Sequence, residues 1–170
     1  LLLKRDAEAD ARDSGGGTAL MVAAAKGHER VAEMLLRHGA GINLQDREGG
    51  TALMSAALEG HERVVDLLIQ HGAEINLQDS DGHTALMLAA FEGRPAVVRR
   101  LLRAGADTAA RTTSGMTAPQ MAKMRGQPHP PHDSIAVATT ALSAALEGAT
   151  SITAAFVLID AATAATSSLL

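Results

Sequence analysis

The chain has 170 residues, 46 % hydrophobic and 20 % charged, enough for one folded domain and too apolar for a disordered one. Its formal net charge of −4 carries no block of like sign, which argues against nucleic acid as the main ligand, because phosphate binding needs clustered Lys and Arg. Cysteine is absent, so disulfides, thiolate nucleophiles and cysteine zinc sites are excluded, and a reducing compartment fits. Phe91 and Phe156 are the only aromatic residues. A core must therefore be built from Leu, Val, Ile, Met and Ala, which suit closely packed short helices better than a β-sandwich.

In chain order, Leu1-Leu2-Leu3 precede charged residues and are too short for a signal-peptide core. The opening reads as the cut edge of something longer. From there a period dominates. "TALM" begins at Thr18, Thr51 and Thr84, each 33 residues from the last, and the next step falls on Thr117. Asp13, Asp46 and Asp79 keep the same step, as do Gly16, Gly49, Gly82 and Gly115, then Gly27, Gly60, Gly93 and Gly126, then Gly39, Gly72 and Gly105. Self-similarity at such a period marks a stacked repeat.

Each unit has a physical reading. Asp46-Arg47-Glu48-Gly49 is a turn, with Asp bonding backbone and Gly taking positive φ. Thr51 is an N-cap for the short helix "ALMSAALE", which Gly60 stops. "HERVVDLLIQH" is a second helix, with Val64, Leu67 and Leu68 on one apolar face, Glu62 and His71 placed for the helix dipole, and Gly72 as a left-handed exit. One such pair cannot bury its own apolar surface, but stacked neighbours can.

These residues resemble the ankyrin repeat, D-x-x-G-x-T-P-L-H-x-A-A-x-x-G-H followed by a helix ending L-L-x-x-G-A-x-x-N. The likeness covers about residues 1–126. It implies an all-α, ankyrin-type helix-turn-helix solenoid with turn or hairpin loops, three full repeats and partial repeats at both ends. Residues 1–12 are the end of a truncated unit, with Leu2-Leu3 matching Leu35-Leu36 and Asp6 standing where Gly39 does. The array follows at 13–45, 46–78 and 79–111, with a partial unit at 112–126 in which Thr112 replaces the turn Asp. Residues 127–133, "QPHPPHD", are a Pro-rich linker, and 134–170 an Ala/Thr-rich tail. Four readings of the tail stay open: helical and covering the last repeat, flexible, a degenerate unit around "SAALEG", or a membrane helix lacking a basic flank. The motif's Pro is Ala at 19, 52 and 85, and its His is Met at 21, 54 and 87. In the family that His ties adjacent repeats by hydrogen bonds. Met can only pack, so some polar stitching between units is expected to be missing. Pro95 is harmless in a first helical turn.

No residues suggest catalysis. His28 and His61 lie one repeat apart, about 8–10 Å if helix packing sets the distance, too far to share a metal ion. A structural role at the start of the second helix is expected for both. His129, His132 and Asp133 read as a solvated linker rather than an ion site. Ser55 and His61 lack a third orienting group. No glycine-rich phosphate loop is present, and no metal or cofactor is expected. Met21, Met54 and Met87 read as core.

The resemblance implies a protein–protein interaction module, whose contacts fall on residues that vary between units. At the turn tips Arg47 and Glu48 become Ser80 and Asp81, and Gly50 becomes His83. Gln45, Gln78 and Arg111 share a site before each turn. At the first-helix ends, Ala25-Lys26, Leu58-Glu59 and Phe91-Glu92 differ. In ankyrin-like proteins such positions form the fingertips and concave face that grip partners. Partner-binding residues expected on this basis are Arg47, Glu48, Leu58, Glu59, Gln78, Ser80, Asp81, His83, Phe91, Glu92 and Arg111. Phe91, flanked by Glu92 and near His83, is either a binding anchor with a polar rim or a filler against the fourth unit. Arg99, Arg100 and Arg103 read as a solvated outer face. The expected partner is a protein, with no nucleic acid and no membrane, and the isolated domain is expected to be monomeric and cytoplasmic or nuclear. A regulatory or targeting fragment of a larger enzyme or membrane channel is the alternative.

Overall fold

A computed structural model describes residues 9–124. The ends at 1–8 and 125–170, which include the expected linker and tail, lie outside the described residues. Seven helices are described: α1 (Ala19–Ala25), α2 (Glu29–Arg37), α3 (Ala52–Glu59), α4 (Glu62–Gln70), α5 (Ala85–Phe91), α6 (Pro95–Arg103) and α7 (Ala118–Met124). Among the described residues there is no strand, only an isolated antiparallel bridge between Arg12 and Thr18. The all-α solenoid expected from the period is the observed fold.

Local chemistry sets the helix ends. Thr18, Thr51 and Thr84 are N-caps in extended conformation, and each hydroxyl accepts from the backbone N–H three residues on. Gly60 ends α3 in the left-handed region at φ 86°, and Gly72 follows α4 at the same φ. Pro95 opens α6 without losing a helical hydrogen bond.

The core repeats with the chain. Leu20, Leu53 and Leu86 are buried, as are Leu35, Leu68 and Leu101 at the second-helix position. Met21, Met54 and Met87 are buried too, as a packing role requires. Buried Ala pairs at 23–24, 56–57 and 89–90 have no side-chain bulk to hold the first helices apart. Helices α1, α3, α5 and α7 stack in one row and α2, α4 and α6 in a second, the first row packing more closely.

The turns stack as well. Asp46 Oδ1 accepts the N–H groups of Glu48 (3.0 Å) and Gly50 (2.7 Å), and Asp13 and Asp79 serve their own turns in the same way. In the fourth turn the Thr112 hydroxyl takes over, accepting from Met116 N–H at 3.1 Å. Successive turns join through the backbone: Arg47 N–H donates to Gly15 O (3.0 Å), Ser80 N–H to Glu48 O (2.8 Å) and Thr113 N–H to Asp81 O (2.8 Å). Gly49 is needed twice over. Its φ is +82°, and a Cβ there would meet Asp79 Cα at 2.8 Å.

Gly72 shares the positive φ (+86°) but faces open space, so the two glycines separate backbone strain from crowding. Gly72→Ala should cost about 1 kcal/mol for the left-handed backbone alone. Gly49→Ala should cost about 1–3 kcal/mol more, because the next turn must move aside. Urea unfolding of the two variants measures the difference.

Candidate functional site

The residues that differ between units fall into two sets. The first sits on the turn tips. Arg47, Glu48, Ser80 and Asp81 are exposed, on backbone locked into the ladder just described. His83 is half-buried; its N–H donates to Asp79 Oδ1 (2.8 Å) and its ring nitrogen lies 3.1 Å from Asp79 Oδ2. The tips therefore carry variable side chains on backbone fixed by repeated hydrogen bonds.

The second set sits at the ends of the first helices. Leu58 and Glu59 close α3, Phe91 closes α5, and Glu92 is its C-cap. Glu59 is exposed, and Leu58 is half-buried. Phe91 is half-buried and packs against the core. Because α3 packs on α5, the two helix ends lie side by side.

Gln78 and Arg111 do something else. Gln78 Nε2 donates to Gly82 O (2.7 Å) and, across the unit boundary, to Arg111 O (3.0 Å). Gln45 makes the same pair of bonds to Gly49 O (2.9 Å) and Gln78 O (3.1 Å). Arg12 reaches Gln45 O at 2.7 Å, and Arg111 closes its own turn on Gly115 O at 2.9 Å. The amide of Gln78 is committed to the stack, and the Arg111 guanidinium to its turn.

The stitching that Met in place of His was expected to remove is instead present at other positions. Asn43 Oδ1 accepts from Glu74 N–H (2.9 Å), Asn76 Oδ1 from Asp107 N–H (2.8 Å), and Asp10 Oδ1 from Gly41 N–H (2.7 Å). The spacing of Asp10, Asn43 and Asn76 by 33 residues is the signal that could have revealed this series. The His61 ring bonds Ala25 O at 3.0 Å and lies where a Cβ on Gly27 would come within 2.6 Å. Arg94, in the equivalent place, donates from Nε to Leu58 O at 3.2 Å. His61 is thus structural, and Arg94 does the same work with another side chain. His28, the same position in the first unit, is exposed.

On the second-helix row, Arg100 is paired rather than simply solvated. It bridges back to Glu62 (2.7 Å) and Asp66 (3.0 Å) on α4. All three side chains are at least a third exposed, so the bridge adds at most about 1 kcal/mol per pair. Among the described residues no three His, Asp or Glu side chains converge where an ion could be held, and no helix is long and apolar enough to cross a membrane.

This geometry defines a class: a stacked helix-pair scaffold that offers a long surface of variable side chains on repeated supports. Within that class, a family model for ankyrin repeats in three copies matches residues 1–79 and 20–112, and the chain belongs to the ankyrin-repeat family. No curated protein matches the chain. Ankyrin repeats are in general protein–protein interaction modules with a non-catalytic fold.

The two kinds of position should respond differently to substitution. Gln78→Ala, which leaves Gly82 O and Arg111 O without their amide partner, should lower stability by about 1 kcal/mol. Glu59→Lys, at an exposed helix end, should stay within about 0.5 kcal/mol of the parent. Chemical denaturation of both variants reads the contrast.

Proposed function

We propose that the array is a rigid scaffold that binds a protein partner through its turn tips and the first-helix side of the stack, without catalysis or cofactor. Ankyrin-family membership supports a binding role. One observation carries the choice of surface: side chains that change from unit to unit are held on backbone that does not. Arg47-Glu48 and Ser80-Asp81 occupy matching places on turns fixed by matching hydrogen bonds.

The closer packing of the Ala-rich first helices makes their row the short side of the stack. Leu58, Glu59, Phe91 and Glu92 then lie on a concave face next to the tips. Leu58 and Phe91 supply apolar area, while Glu59 and Glu92 supply a polar rim, the arrangement that interface anchors favour. A preformed surface of this kind binds with little backbone change. Gln78 and Arg111 contribute by holding the tips in register, and their own contacts with a partner are secondary.

The test is capture of partners by the full chain beside two variants whose folding is checked by urea midpoint. One carries Phe91→Ala, Glu59→Lys and Glu92→Lys. The other carries Arg30→Glu and Arg63→Glu on the second-helix row. Partners that bind the parent should be lost from the first variant and kept by the second. Retention by the first and loss from the second would place the contact on the opposite side.

A further inference from the structure

We infer that the partner of the first-helix side is a basic amphipathic helix that lies across α1, α3, α5 and α7. The inference rests on the reading that this side is the contact surface, and it adds the chemistry of what binds there. An apolar stripe crosses all four helices. Val22 on α1 is 55 % exposed and Met124 on α7 is 62 % exposed, while Leu58 on α3 and Leu88 and Phe91 on α5 are half-buried. Val22 and Leu88 hold one position of the repeat, and Leu58, Phe91 and Met124 hold the position three residues later, so both fall on one helix face. Each first helix packs on its row neighbours and, in the three full units, on its own second helix. None of the described helices lies over this face.

Charge differs between the two sides of the stack. On the second-helix side every carboxylate of α2 and α4 has an arginine. Glu33 pairs with Arg37 (2.6 Å), Glu29 with Arg63 (3.8 Å), and Glu62 and Asp66 with Arg100 (2.7 and 3.0 Å). On the other side Glu48, Glu59 and Asp81 are exposed and form no ion pair among the described residues. Residues 46–59 and 79–92 hold six carboxylates and one Lys or Arg, Arg47. Apolar area beside uncompensated negative charge selects a ligand that brings both apolar side chains and cations. A neutral or acidic ligand would strip water from these carboxylates and leave them without partners.

The spacing sets the form of the ligand. Apolar sites recur once per repeat, about 8–10 Å apart for packed helices. Seven residues of an α-helix advance about 10.5 Å and return to the same face. Three residues of a strand advance about 10 Å but turn the side chain to the opposite face. A helix with apolar residues seven apart and Lys or Arg beside them therefore meets the stripe at each first helix and reaches Glu48, Glu59 and Asp81 from its flanks. The row from α1 to α7 spans about 24–30 Å, which takes a helix of about 16–20 residues.

The test selects binders of the full chain from a random library of peptides about 20 residues long, then measures their affinities by fluorescence anisotropy. Enriched sequences should be net positive, with apolar residues seven apart. Glu59→Lys together with Asp81→Lys should weaken them about tenfold or more, and Glu29→Lys together with Glu33→Lys on α2 should change them less than about twofold. Val22→Ser, at an exposed position, should weaken them about threefold through lost apolar contact. Enriched peptides that are neutral or acidic, or that lack the seven-residue spacing, yet still weaken with Val22→Ser would overturn this inference and leave the contact surface standing. Peptides that respond to the α2 changes alone would overturn both, as would a library that yields no binder.

Discussion

Burial of one unit's apolar face by the next is the interaction on which everything else here depends. No described helix exceeds nine residues, well below the length at which an isolated helix is stable in water. Nor can a single pair enclose a core. Leu53 is buried only because α3 lies between α1 and α5, and the same is true of Leu86 between α3 and α7. Each fully buried Leu contributes about 1.5–3 kcal/mol of transfer free energy. That stabilisation exists only as a property of the stack.

Polar contacts then decide where each unit sits along its neighbour. Apolar surfaces alone would tolerate sliding, because Leu, Met and Ala present no directional groups. Direction comes from the Asn43 and Asn76 amides, the Gln45 and Gln78 amides, the backbone link between turns, and His61 or Arg94 over the end of the preceding first helix. Each bond alone is worth about 1 kcal/mol. Together they fix register at four separate places on the same boundary, so a turn tip cannot move without disturbing the helices behind it. Recognition by a preformed surface needs this stiffness, since a partner meets side chains whose supports are already ordered.

The architecture was legible in the sequence because packing demands the same residue at the same depth in every unit. Thr18, Thr51 and Thr84 are buried caps, and Gly16, Gly49 and Gly82 face the backbone of the next turn, so none of these positions can drift. The polar stitching was much less visible. Its bonds join residues 29 to 38 positions apart and depend on where the backbone runs, which composition does not show. Gln78 illustrates the difficulty. It is a long polar side chain in an exposed loop, the description of a binding residue, and the fold uses its amide internally. Arg94 illustrates the converse: it breaks the repeated His yet performs the same task, because a guanidinium can reach the same carbonyl. Met in place of His at 21, 54 and 87 removed one possible set of bonds while others carried the load.

Nearest-neighbour dependence is the central claim, and native-state hydrogen exchange on a chain carrying Leu53→Ala tests it most directly. Leu53 is buried in the middle unit, so the substitution opens a cavity between α1 and α5. If each unit is stable only through its neighbours, exchange should accelerate in α1, α2, α5 and α6 together with α3 and α4. Acceleration confined to α3 and α4, with the flanking units as protected as before, would contradict the account and show that the units hold themselves together.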